Sequence, residues 1–135
     1  MTPSEIFERM RARWLAGETT FDGGMLADDV VVEMPFAAPG GPGRIAGKER
    51  VLAFTEAGRA ALPVRFDDCR DVVVHKTADP DVIVVEYELA GTHTSTGMTA
   101  SAPFIGVLTA RGGKLTRWRE YQHTLAIAQA LTAGK

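Results

Sequence analysis

The sequence predicts an α+β fold, a curved antiparallel sheet wrapped around N-terminal helices and forming a conical pocket. Two observations carry it. Helical spacing and helix caps dominate the first 61 residues, and from Val64 onward the chain turns into long alternating runs separated by turn signals. A third fixes the hairpins: Asp79-Pro80-Asp81, Ser95-Thr96-Gly97 and Arg111-Gly112-Gly113 punctuate the second half at strand-length intervals.

At the N-terminus, Thr2 or Ser4 with Pro3 and Glu5 supplies a capping oxygen, a tolerated early proline and an acid at the positive helix end. Ile6, Phe7, Met10 and Trp14 then form one apolar stripe, and Gly17 ends the helix. A short second helix is expected from Asp22 to Ala27, and a β-branched strand from Val30 to Val32 leads into Glu33, Met34 and Pro35. Pro39-Gly40-Gly41-Pro42-Gly43 cannot hold a ladder and reads as a loop or cavity rim. It lacks the Gly-Lys-Ser or Gly-Lys-Thr of a phosphate cradle. A third helix is expected over Lys48–Ala61, with Val51, Leu52, Phe54 and Thr55 inward and Pro63 as its stop. Strands are expected over Val64–Thr77, Val82–Thr92, Met98–Ala110 and Lys114–Gln122.

The 135 residues fit one domain, 1–135, large enough for a core without metal or disulfide staples. A formal charge of -2 with both signs dispersed gives no basic stripe, so neither nucleic acid nor membrane is expected as a partner. The lone Cys69 cannot close an internal disulfide, and with no signal-peptide-like or spanning apolar run the expected location is cytoplasmic. His75, His93 and His123 show no ligand spacing, so no metal is expected, nor any other cofactor. Only Ser4, Ser95 and Ser101 are serines, none in a nucleophile elbow.

In the last strand, alternation puts Thr116, Trp118, Glu120 and Gln122 on one face and Leu115, Arg117, Arg119, Tyr121 and His123 on the other. If the first face is concave, Glu120 sits in a partly apolar cavity where burial raises its pKa.

Leu26-Ala27-Asp28-Asp29-Val30-Val31, Glu33-Met34-Pro35, Gly47-Lys48-Glu49, Phe104-Ile105-Gly106-Val107-Leu108, and Gly113-Lys114-Leu115 to Trp118-Arg119-Glu120-Tyr121 occur in that order. In this the chain resembles the SnoaL-like branch of the nuclear-transport-factor-like superfamily, which also holds ketosteroid isomerases and limonene epoxide hydrolases. The isomerase positions for a tyrosine, an aspartate and a second acid fall here on Met10, Met34 and Phe104 or Ile105, all apolar, with Glu33 one residue from the base position. The resemblance to the epoxide hydrolases retains two acids, at Glu88 and Glu120. Their bridging arginine is replaced by Glu86, and their water-holding positions by Val32 and Met34.

Three carboxylates so placed, with charges about 5 Å apart at an effective dielectric of about 20, repel by roughly 3 kcal/mol, enough to keep at least one protonated near neutral pH. Glu120, Glu88 and Glu86 are therefore the candidate acid and base groups. Met10, Trp14, Val32, Met34, Ala102, Phe104 and Trp118 are the candidate lining for a small apolar molecule. The alternation of Ile83, Val85, Tyr87 and Leu89 with Glu86 and Glu88 leaves open a second arrangement, apolar side in and glutamates out. The resemblance implies a homodimer through the outer sheet face. The expected function is cofactor-independent acid and base chemistry, as in an epoxide hydrolase, isomerase or polyketide cyclase. The alternative is a non-catalytic ligand-binding or dimeric interaction module.

Overall fold

The computed structural model describes residues 1–132. Helix α1 spans Pro3–Leu15, and a single 3-10 turn spans Gly23–Met25. Strands β1 (Leu26–Glu33) and β2 (Arg44–Ala46) precede helix α2 (Lys48–Ala61). Strands β3 (Val64–Lys76), β4 (Val82–His93), β5 (Thr99–Arg111) and β6 (Lys114–Gln122) follow, then helix α3 (Thr124–Thr132). The six strands lie in the order β2-β1-β6-β5-β4-β3. Every pair is antiparallel except β1 with β6, which run parallel, so the sheet is mixed at that one seam.

Thr2 caps α1 through a reciprocal box with Glu5, and the four apolar residues of its stripe are the four that it buries. Gly17 adopts φ 77° beyond its end, donating to Trp14 O. The expected second helix shrinks to the 3-10 turn, because Asp22 caps Met25 N–H and the chain goes straight into β1. Strand β1 therefore begins at Leu26, four residues earlier than its β-branched run suggests. The α2 helix keeps its expected bounds.

Strand β3 carries the curvature. Register shifts between Phe66 and Asp68 and between Arg70 and Val73 insert extra residues, with Asp71 at φ 55°, and such bulges bend and twist a strand. At the other end of the meander, Gly112 and Gly113 take φ 59° and 77° in the two-residue turn between β5 and β6.

A bulge also corrects the expected parity of β6. Thr109 pairs with Arg117 but Ala110 pairs with Leu115, so Thr116 is extra, its hydroxyl donating to Thr109 O. Leu115 is consequently fully buried with Trp118 instead of sharing the outer face with Arg117.

The core lies between α1 and the concave face of the sheet, where Ile6, Phe7 and Met10 meet Val85, Leu108 and Leu115. Burying each such side chain contributes about 1.5–3 kcal/mol. Two elements have no counterpart in the expectations above, the short β2 and α3. His123 starts α3, its Nδ1 accepting from Ala126 N–H at 3.1 Å. Among the described residues no helix is long and apolar enough to cross a membrane.

Candidate functional site

A cavity of about 380 Å³ opens between the concave sheet face, α2 and α3. Its volume lies within the range of about 300–1,000 Å³ usual for small-molecule sites. The wall is largely apolar. Phe54 and Leu62 come from the α2 side, Leu89 and Phe104 from the sheet, and Ile127 and Leu131, one helical turn apart, from α3.

Glu120 borders this space from β6. The Tyr87 hydroxyl donates to its Oε2 at 3.1 Å and the Gln122 amide to its Oε1 at 3.2 Å. Tyr87 is held in place by two rings, stacked on Trp14 at 5.4 Å and on Phe104 at 5.3 Å between centroids. Desolvation raises the Glu120 pKa above its ordinary value, against the lowering effect of hydrogen bonds from Tyr87, Trp118 and Gln122. Burial likewise pushes the Tyr87 phenol well up, with the neighbouring Glu120 charge adding to the effect, so Tyr87 stays a neutral donor.

The expected three-carboxylate cluster does not form. Glu86 and Glu88 lie on the outer face of β4, where Glu86 accepts from His75 at 2.6 Å and Glu88 from Arg70 at 3.2 Å. The reason is strand parity: Ile83, Val85 and Tyr87 occupy the buried side, and period two sends both glutamates the other way. Hydrogen bonds from Ser101 and then Arg70 hold Glu88 below its ordinary pKa. Glu33 also faces away from the cavity, bound to Arg117 at 2.5 Å.

Of the expected lining, Trp14, Ala102 and Phe104 border the cavity. Met10, Val32 and Trp118 are instead buried in the core, because α1 presses onto the sheet and fills that end of the cone. Met34 lies just past the end of β1, its N–H donating to Gly43 O at 2.9 Å, away from the cavity. The sequence reading passed over Tyr87 and His93 as site residues. Tyr87 could have been found, since it shares the inward parity of Val85 and Leu89.

Cys69 is fully buried and its thiol is pushed up to about 11, chiefly by burial. Among the described residues no three His, Cys, Asp or Glu side chains are arranged to hold a metal ion.

A helix-lined cavity closed by one curved mixed sheet defines the class. The sequence pattern of the SnoaL-like domain matches residues 7–118, and the chain belongs to that family. An uncharacterised PhzA/B-like protein of Pseudomonas aeruginosa is 34% identical over 101 residues, covering 75% of this chain and 70% of the relative. Among solved structures, a Bacillus subtilis protein provisionally named an isomerase superposes with a TM-score of 0.84 at 23% identity, over 95% of this chain and 91% of that one. A Pseudomonas putida protein provisionally named a polyketide cyclase gives 0.75 at 24% identity, over 96% of this chain and 98% of that one. At these identities the two structures speak for the fold.

Proposed function

We propose that the protein is a cofactor-independent enzyme that moves a proton on a small, mostly apolar carbonyl compound, an isomerase-like or cyclase-like activity with Glu120 as its acid and base. The observation that carries this is Glu120 itself, a carboxylate with a raised pKa bordering an apolar cavity and oriented by Tyr87 and Gln122. Its raised pKa makes the ionised carboxylate a stronger base than an ordinary one, and the same group can return the proton that it takes. A carboxylate has about four lone-pair sites, so Glu120 retains one beyond those engaged by Tyr87, Trp118 and Gln122.

In such a reaction, ionised Glu120 removes a proton from the carbon beside a carbonyl, leaving an enolate. For isomerisation, the protonated Glu120 returns that proton to another carbon of the conjugated system. For cyclisation, the enolate carbon bonds to a second carbonyl carbon of the same molecule, and the alkoxide formed takes the proton from Glu120. Both routes regenerate the carboxylate. The provisional names of the two structural neighbours, isomerase and polyketide cyclase, support this chemistry. Epoxide hydrolysis with paired acids is less well supported, since Glu88 and Glu86 lie across the sheet from Glu120.

The test is proton–deuterium exchange at activated carbons of enolisable ketones and linear poly-β-ketones in D2O, followed by NMR. Wild-type protein should accelerate exchange, and Glu120→Gln should lose at least about 100-fold while keeping its fold and affinity. Glu86→Gln and Glu88→Gln should exchange at the wild-type rate. A protein that binds these compounds without accelerating exchange is a binding module, and the enzymatic proposal then fails.

A homodimer through the outer sheet face belongs to the same proposal. Val73 and Ile105 there are 46% and 41% exposed, and Phe36 beside them is 59% exposed. Light scattering should then give twice the chain mass. The lone cysteine supports a reducing, cytoplasmic setting.

A further inference from the structure

His93 is the last residue of β4 and the one buried histidine among the described residues, with 6% of its surface exposed. It borders the same cavity as Glu120. Its backbone is pinned at the hairpin: its N–H donates to Met98 O and its carbonyl accepts from Gly97 N–H, each at 2.8 Å.

The ring is pinned as well. Ser95 N–H points at Nδ1 at 3.4 Å, with Ser95 Oγ 3.0 Å from the same nitrogen. A backbone N–H can only donate, so in the neutral ring Nδ1 is the acceptor and the proton sits on Nε2. That Nε2 is buried and has no hydrogen-bond partner among the described residues. Buried donors are nearly always paired, because leaving one unpaired forfeits its hydration. Arg59, another polar residue of the wall, is already engaged, giving Nη1–H to Val64 O at 2.8 Å.

We infer that His93 is a ligand-recognition residue whose Nε2–H, fixed as a donor by Ser95, hydrogen-bonds an acceptor oxygen of the molecule that occupies the cavity. This rests on the ligand-cavity reading above and adds a specificity to it. Tyr87, the partner of Glu120, lies six residues before His93 on the same side of β4, a contour of about 20 Å that the curl of the sheet shortens in space. A molecule that reaches both polar points is elongated, with a ketone or quinone oxygen at one end and its acidic carbon toward the other. A carbonyl suits His93 better than a hydroxyl, since a lone donor gains most from a group that only accepts.

The test uses full-length protein and two probes of nearly equal shape, 2-acetylnaphthalene and 2-ethylnaphthalene, of which only the first carries an acceptor. Long-range 1H–15N NMR of the wild type should show Nε2 protonated and Nδ1 bare. The ketone, and not the hydrocarbon, should move the His93 Nε2 resonance. His93→Leu should weaken the ketone about three- to tenfold and leave the hydrocarbon unchanged, while His93→Gln, which keeps a donor, should retain part of the preference.

A proton on Nδ1 overturns the inference, as does an equal response of His93 to both probes or an equal loss of both in His93→Leu. If both probes bind without discrimination, only the role of His93 falls. If neither binds, the ligand-cavity reading falls with it. Should His93→Leu fail to fold, the two wild-type NMR readouts decide alone.

Discussion

Gly106 on β5 lies under the indole of Trp118 on β6: a Cβ built at Gly106 would stand 2.0 Å from Trp118 Cη2. Gly106 is also the residue paired with Glu120. The missing side chain therefore lets a large ring lie flat on the sheet beside the candidate acid. Gly106→Ala must displace the ring or the backbone, and overpacking of this kind costs about 1–3 kcal/mol. Urea unfolding should show that loss, together with a changed Trp118 fluorescence in the native state.

Tyr87→Phe deletes the 3.1 Å hydrogen bond to Glu120 Oε2 while keeping the ring stacked between Trp14 and Phe104. That bond favours the ionised carboxylate, so its loss should raise the Glu120 pKa further. Carboxyl titration by 13C NMR reads the shift, and the accompanying loss of stability should be about 0.5–1.5 kcal/mol.

Glu120 also leaves a signature in stability against pH. Its folded pKa lies above its unfolded value near 4.5, so between the two the native state holds the proton that the unfolded chain has released. Stability from this group is complete below the unfolded value and is lost as pH rises through the folded one. Glu120→Gln removes the dependence. The Tm difference between variant and wild type should therefore grow in favour of the variant from pH 4 to pH 8. A difference constant across that range would mean that Glu120 is solvated in the native state.

Cys69 should be silent. With a thiol pKa of about 11 and no exposed surface, only about one part in a thousand is thiolate at pH 8. A thiol reagent such as dithionitrobenzoate should label it at the rate of unfolding and not at that of a free thiol. Fast native-state labelling would mean that the Cys69 region of β3 opens locally.

The fold was legible wherever one element imposed its own period. The α1 stripe of Ile6, Phe7, Met10 and Trp14, the bounds of α2 and the three hairpins follow from spacing, caps and turn residues. What sequence alone did not show depends on pairing between distant segments. The extra residue at Thr116 that buries Leu115 exists only relative to Thr109 and Ala110, and the parallel seam of β1 with β6 joins residues some 85 positions apart, as in Val32 and Trp118. The site divides the same way. Inward Glu120 could be read from the alternation of β6, and the apolar-in arrangement of β4, one of the two left open, is the one that the structure adopts. His93 could not be recognised, because its single visible property in the sequence is its type; the Ser95 contact and the bare Nε2 emerge only when the β4–β5 turn folds back.

The Thr116 bulge makes the stretch from Gly113 to Glu120 a ruler. Counting residues along it decides which side of the sheet receives a carboxylate and which receives guanidinium groups, for Arg117 and Arg119 alternate with Trp118 and Glu120. Deleting one residue there without absorbing the bulge would turn the cavity wall cationic and move the acid outside. Removing the bulge together with that residue would leave the cavity as it is. Length variation in this hairpin arm is thus tolerated at one position and inverts the site at its neighbours, so an insertion or deletion scan across Lys114–Trp118 would map the reading frame of the cavity.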